Sequence, residues 1–390
     1  MSRVKFGDVV KDCKEKIDRN NNPYDFYVAG DHMDTEDLVI RRKGRFATDD
    51  VGPAFIRLFR SGQVLYGSRR TYLKKVAVAD FEGVTANTTF VLETKNEEVL
   101  RQRLLPFIML SDSFTEWSIK RSKGSTNPYV LFSDLAAFEF DLPCIELQDK
   151  YVGLLWSLWD AKEAYRNLLA ATDELVKARF VEMFGDPESN PQDWREDSIS
   201  NVILGKVSNG FFAKKSEYNE EGNVSVLGVS NVVNRMYSNI ESLPKANGTQ
   251  EDIDKYSLKY GDILFCRSSL VAEGIGKASI VPECVPEKTL FECHVIRLQL
   301  DTKKVVPEYI QVLTTLPYFR NQVLASAKTV TMTTIGQEGI LKCRIIIPPY
   351  KKQKDFLAFT RQLRETIEKI QVTLAKANIL LQRVLNLYIG

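Results

Sequence analysis

Leu142-Pro143-Cys144-Ile145-Glu146-Leu147-Gln148-Asp149-Lys150-Tyr151 returns as Ile347-Pro348-Pro349-Tyr350-Lys351-Lys352-Gln353-Lys354-Asp355-Phe356, displaced by 205 residues, and each copy leads into a long helical pattern. The far ends match too, with Leu175 through Gly185 against Leu380 through Gly390 at the same displacement. So long a period is not a solenoid repeat; it is one domain plus one helix, duplicated. Duplication of that kind predicts a pseudo-twofold object, suited to a target that is itself two-sided.

The first helix is expected from about Tyr151 to Phe184, stopped by Gly185-Asp186-Pro187, a glycine stop followed by proline. A heptad seam runs through Tyr151, Leu154, Leu158, Ala161, Tyr165, Leu168, Thr172 and Leu175. It recurs at Phe356, Phe359, Leu363, Thr366, Ile370, Thr373, Ala377, Leu380, Val384 and Leu387. Equal register in both copies predicts that the stripes face each other as an antiparallel coiled coil, and such a helix spans about 50 Å, more than a DNA turn of about 34 Å. That length suits a spacer.

The organisation expected is therefore a globular segment at 1–142, a spacer helix at 143–185, a second globular segment at 186–347 and a second helix at 348–390. The fold class is α+β, with two tandem mixed α/β segments. Gly62 to Tyr66 and Gly261 to Phe265 each read as a turn entering a buried strand, with further strands at Val224 to Val229 and Val295 to Leu300. Helices are expected near Glu97 to Leu110 and Pro307 to Leu324.

At 390 residues, 44% hydrophobic and 27% charged, the composition is that of an ordinary soluble protein of two or three domains. No apolar run is long enough to span a bilayer and Met1 to Asp8 has no signal-peptide character, so a cytoplasmic protein without membrane contact is expected. Six cysteines lack the density of a disulfide scaffold. Cys284, Cys293 and His294 form the best metal grouping, but without a C-x-x-C pair they read as small hydrophobes, and no metal is expected. His32 and His294 are the only histidines, too few to build a histidine-based catalytic centre.

A net charge of +2 announces nothing, but its distribution does. No Asp or Glu occurs from Val51 to Ala79, where Arg57, Arg60, Arg69, Arg70, Lys74 and Lys75 fall with Tyr66 and Tyr72. From Gln311 to Lys354 the single acid is Glu338, against Arg320, Lys328, Lys342, Arg344, Lys351, Lys352 and Lys354. Either run alone reads equally as a solvated basic face; two runs in corresponding halves favour an anionic partner.

Three phrases carry a family resemblance: Phe180-Val181-Glu182-Met183-Phe184-Gly185-Asp186-Pro187 leading to Asn190-Pro191-Gln192-Asp193-Trp194, the turn Gly261-Asp262-Ile263-Leu264-Phe265-Cys266-Arg267-Ser268, and Ile347-Pro348-Pro349 with Gln353. With the order domain, helix, domain, helix, the chain resembles the specificity subunit of type I restriction-modification systems, a phage-defence family. The first domain departs from the pattern, having Gly62-Gln63-Val64-Leu65-Tyr66-Gly67-Ser68-Arg69 at its turn. The resemblance implies two target recognition domains, each reading half of a split site in double-stranded DNA. It also implies helices that set the gap and dock two methyltransferase subunits, with restriction/translocase subunits joining the larger complex. It implies no catalysis and no cofactor for this chain, since S-adenosylmethionine and ATP belong to the partner subunits.

Base reading needs Arg or Lys on phosphates and a few polar side chains at groove edges. The candidates are Arg267, Ser268, Lys277, Lys214, Lys215 and Arg235 in the second domain, and Arg69, Arg70 and Lys74 in the first, with Arg41 and Arg42 behind them. Lys123 and Lys328 occupy equivalent positions.

Two rivals stand beside this reading. Asp80, Glu93 and Lys95 have the loose spacing of a metal-dependent nuclease, though such patterns arise by chance and the second half has none. A protein adaptor that binds no DNA is the other. Asn22-Pro23-Tyr24 and Asn127-Pro128-Tyr129 lack the second proline of an amino-methylase motif, and Gly274-Ile275-Gly276-Lys277 is too short for a triphosphate loop.

Overall fold

The computed structural model describes residues 2–270, 272–329 and 332–388. The chain divides into two compact units, Met1–Asn167 with Gln371–Gly390, and Leu168–Ile370.

Each unit is built on the same sheets. In the first, a four-stranded antiparallel sheet has the order Val10–Asp12, Thr89–Thr94, Val64–Gly67, Val76–Val78. In the second the order is Ser208–Asn209, Val295–Leu298, Ile263–Cys266, Ala278–Ile280. The strands Val64–Gly67 and Ile263–Cys266 are buried along their whole length, which explains why their sequences show apolar runs rather than alternation. Before them sit Gly62 at φ +86° and Gly261 at φ +85°, a left-handed turn that glycine makes without strain. Each unit also carries a parallel pair, Phe26–Val28 with Gly83–Ala86 and Val224–Leu227 with Thr289–Phe291. A closing antiparallel pair follows the same plan, Ser2–Lys5 with Glu139–Leu142 and Arg195–Ser198 with Arg344–Ile347.

The short helices differ from expectation. Only Leu105–Leu110 is α-helical in the stretch from Glu97, behind a 3-10 turn at Gln102–Leu104. The second stretch splits into Pro307–Thr315 and Pro317–Ala325, because Pro317 holds Leu316 extended at ψ 151° and supplies no N–H.

The two long helices are α1, Ile145–Phe184, and α2, Tyr350–Tyr388. A buried glutamine ties the start of each to its domain. Gln148 Nε2 donates to Pro143 O at 2.9 Å and Val99 O at 2.8 Å, while its Oε1 accepts from Arg101 N at 3.0 Å. Gln353 Nε2 donates to Pro348 O at 2.8 Å and its Oε1 accepts from Val306 N at 2.9 Å, the same bonds displaced by 205 residues. Capture of those backbone groups, which burial would otherwise orphan, is the physical content of the repeated phrase.

In the first unit Val152, Leu155 and Trp159 of α1 share a core with Leu381 and Leu385 of α2. In the second, Val176, Phe180 and Phe184 of α1 share a core with Phe356 of α2, with the Phe180 and Phe184 ring centroids each 5.6 Å from that of Phe356. The helices therefore pair antiparallel. The expected seam needs a correction: Leu154, Leu168, Leu175 and Leu380 are exposed, and the buried positions at their level lie one residue on, at Leu155, Val176 and Leu381. Leu158, Tyr165, Phe359, Leu363 and Val384 are half-buried, and Ile370 is buried.

Asp262, beside the second turn glycine, is buried, accepts from Lys259 N at 3.1 Å and lies 3.9 Å from Arg297. Burial pushes its carboxyl up to about 6, opposed by the Lys259 N–H and Arg297, and burial likewise holds the Arg297 guanidinium below its ordinary value. Between the value in an unfolded chain and about 6, the folded chain keeps a proton that the unfolded chain has lost. Stability therefore falls as pH rises across that window, by up to about 3 kcal/mol, and is level above it. In Asp262→Asn, which keeps the acceptor for Lys259 N, urea midpoints measured from pH 4 to 7 lose this component of the slope.

Candidate nucleic-acid interface

Directly after its central buried strand, each unit sends the chain outward into a short three-stranded ribbon. In the second unit Ser268–Ser269 pairs with Thr333–Thr334, which pairs in turn with Lys328–Thr329, all antiparallel. In the first unit the same ribbon is reduced to bridges, Arg69 with Tyr129 and Tyr129 with Lys123. The hinge bond is shared: Val130 N donates to Ser68 O at 2.9 Å, and Ile335 N to Arg267 O at 2.9 Å. Lys123 and Tyr129 are displaced from Lys328 and Thr334 by the same 205 residues. Arg70 adopts φ +50° and its N–H is fixed to Pro128 O at 2.7 Å, which sets the corner of the first ribbon.

Four of the residues singled out in sequence, Arg69, Arg70, Arg267 and Ser268, and the equivalent pair Lys123 and Lys328, thus fall on the two ribbons. Arg69, Arg70 and Lys328 are exposed and make no side-chain ion pair among the described residues, whereas Lys123 reaches Asp134 at 3.2 Å. Arg267 Nη1 donates to Cys293 O at 3.2 Å, and Ser268 Oγ lies 2.8 Å from His294 Nδ1. Asn209, Arg267, Lys328, Thr334, Gln337 and Lys342 line an open groove of about 620 Å³ along this ribbon. The lining combines cations with amides and hydroxyls, the groups that hold phosphates and read base edges.

Most of the first basic run is otherwise engaged. Arg57 is buried on Asp12 at 2.8 Å, Arg60 meets Glu15 at 2.7 Å, and Lys74, only 15% exposed, bridges Glu36 at 3.1 Å and Asp112 at 3.0 Å. Lys74, a candidate phosphate contact from the sequence, is thus already held by two carboxylates. Arg41 pairs with Asp37 and Glu163, and Arg42 with Asp34. In the second unit Arg235 and Lys277 line a different cavity, beside Val176 and Ile367 of the long helices, and Lys277 Nζ is bonded to Asn234 at 2.6 Å. Lys214 and Lys215 stand exposed at a 3-10 turn, Lys215–Glu217. Tyr129, Thr334 and His294 went unnoticed as interface residues; the spacing between Tyr129 and Thr334 was the signal that could have found two of them.

The metal and nuclease alternatives gain no geometry. Glu93 accepts from Gln63 at 3.2 Å and Cys13 at 3.4 Å and faces Lys11, while Lys95 Nζ donates to Gly7 O at 2.6 Å. Among the described residues no three His, Cys, Asp or Glu side chains are placed to hold a metal ion.

Residues 191–377 match the family model described as Type I restriction modification DNA specificity domain. The chain carries a type I restriction modification DNA specificity domain. The matched stretch contains the second ribbon and Gln353, and the first repeat lies outside it. The specificity subunit of the type I restriction enzyme EcoKI of Escherichia coli (strain K12) is 26% identical over 329 residues, 74% of this chain and 66% of that protein. The putative type I restriction enzyme MjaX specificity subunit of Methanocaldococcus jannaschii is 28% identical over 171 residues, 42% of this chain and 38% of that one. The chain thus spans less than two thirds of the length of these relatives. A crystal structure of the S subunit of a type I restriction-modification system from M. genitalium shares the fold, at TM-score 0.51 and 11% identity over 99% of this chain and 95% of that chain.

Proposed function

We propose that this chain is the non-catalytic, sequence-reading subunit of a type I restriction-modification complex, with each unit contacting one half of a bipartite site in duplex DNA. The observation that carries the reading is the recurrence of one ribbon, with unpaired or weakly paired cations, at the same point after the central strand of both units. Residues 1–142 and 186–347 act as the two target recognition domains, and α1 and α2 set the gap between half-sites. Leu154, Leu168, Leu175, Ile379 and Leu380 stay exposed on these helices, apolar surface fit for two modification subunits that bring S-adenosylmethionine; ATP-driven restriction subunits join the larger assembly. Among the described residues no helix is long and apolar enough to cross a membrane, and a cytoplasmic place accords with the proposed target.

The test is a domain exchange. With residues 1–142 replaced by the first domain of another specificity subunit, methylome sequencing of cells holding the modification partner should show a new sequence in one half-site only. A change in both halves would sink the model of independent reading. Removing the Arg267 charge should cost about 1 to 3 kcal/mol of DNA affinity; if it reads a base the loss is confined to sites carrying that base, and if it holds phosphate the loss is uniform across sequences.

A further inference from the structure

The first unit holds a cavity of about 440 Å³, within the range of small-ligand sites, between its globular part and the paired halves of α1 and α2. Lys162 of α1 lines it, is 6% exposed and places its Nζ 4.5 Å from the centre of the Trp159 ring. The other cations at the cavity have carboxylate partners: Lys74 has Glu36 and Asp112, and Arg166 has Asp37 at 3.1 Å and Glu163 at 2.8 Å. Lys162 has no hydrogen bond or ion pair among the described residues. An ammonium buried in that condition costs several kcal/mol unless something compensates it. One side of the cavity is apolar, with Ile379, Leu381 and Leu385; Asn378 supplies an amide, while the Gln382 amide donates to Asp112 at 2.8 Å.

The second unit repeats the cavity with Ile367 in the place of Lys162. Its counterpart, of about 310 Å³, is lined by Asp173, Val176, Lys177 and Ile367, which correspond at the 205-residue displacement to Asn378, Leu381, Gln382 and Lys162. The fold thus makes the space twice, and the Lys162 position carries a cation in the first copy alone, the cations of the second cavity, Lys177, Arg235, Lys277 and Arg320, standing at other positions.

We propose that the cavity of the first unit binds a small organic anion, its carboxylate or phosphate on the Lys162 ammonium and its apolar body against Leu381 and Leu385. Such a ligand supplies the bonded partner that Asp37, Glu163 and Glu36, which act on Lys162 only through space, do not, and it covers apolar surface in one step. Burial, assisted by Arg166 and opposed by Asp37, Glu163 and Glu36, holds the Lys162 ammonium below its ordinary value, and a bound anion would favour its charged form.

The full chain is titrated calorimetrically with phenyl phosphate, benzoate and uncharged benzyl alcohol. The expected result is saturable binding of one equivalent of phenyl phosphate or benzoate, the stronger of the two naming the head group, with benzyl alcohol weaker by about tenfold or more. Lys162→Met, which keeps the apolar stem, should weaken the anion about tenfold or more while leaving the circular dichroism spectrum and thermal midpoint no lower than in the parent. No saturable binding of either anion at millimolar concentration overturns the proposal. So does equal binding by the Lys162→Met chain, or benzyl alcohol binding as well as the anions.

Discussion

A chain in which Arg69, Arg70 and Lys123 are all alanine, assembled with its modification subunits, binds duplex DNA with a salt dependence shallower by about three contacts. Each phosphate held by Lys or Arg adds about 0.9 to the slope of log affinity against log salt through counterion release. At low salt, where that release is worth most, the affinity loss amounts to orders of magnitude and is the same for every sequence if these residues hold phosphates. Filter binding from low to physiological salt gives the slope directly. An unchanged slope would show that the first ribbon is not on the DNA and would favour the adaptor reading. Lys74 serves as the internal control: engaged by Glu36 and Asp112, its removal should leave the slope unaltered while lowering stability.

The second large effect is on stability. Arg57 is buried between strands, its Nη2 2.8 Å from Asp12 and its Nη1 donating to Thr89 O at 2.7 Å. The bond falls on Asp12 Oδ2, and the buried Oδ1 has no hydrogen-bond partner. Arg57→Met therefore leaves a buried carboxylate uncompensated and a backbone carbonyl unpaired, at a cost of about 3 to 5 kcal/mol. Scanning calorimetry should show the transition of the first unit moving down while that of the second stays in place. Combining it with Asp12→Leu should recover most of the loss, since an apolar pair of similar volume is close to neutral in such a place. A loss below about 1 kcal/mol in the single variant is what an exposed pair would give and would contradict the burial.

The duplication was legible because its strongest signal, the Pro-led phrase with Gln148 and Gln353, is a set of hydrogen bonds that each copy must make. The turn glycines and central strands were legible for a similar reason, a positive φ followed by a run buried on both faces. The heptad seam lies one residue on from its expected place at Leu154, Leu175 and Leu380, because both helices carry two adjacent apolar stripes and periodicity does not tell which one is covered. Basic residues were the least legible. Composition counts a cation without its carboxylate, and Asp12, Glu36 and Asp112 reach Arg57 and Lys74 from distant parts of the chain. In the second unit the loops of Arg235 and Lys277 suggest DNA contacts, and no pattern in the sequence announces that both also line a cavity beside Val176 and Ile367 of the long helices.

The buried glutamines carry one more consequence. The groups each one grips outside its own side chain are backbone atoms: Val99 O, Arg101 N and Pro143 O for Gln148, Val306 N and Pro348 O for Gln353. The glutamine bonds are therefore blind to the loops of the domain, although the side chains of Arg101, on Asp149 at 2.6 Å, and Phe107, against Trp156, also hold the first joint. If the units read DNA as proposed, a foreign domain that delivers the same main chain and the few side chains packed on the helix would keep this mount whatever its loops carry, and crossover just upstream of Pro143 or Pro348 would change what is read without rebuilding the socket.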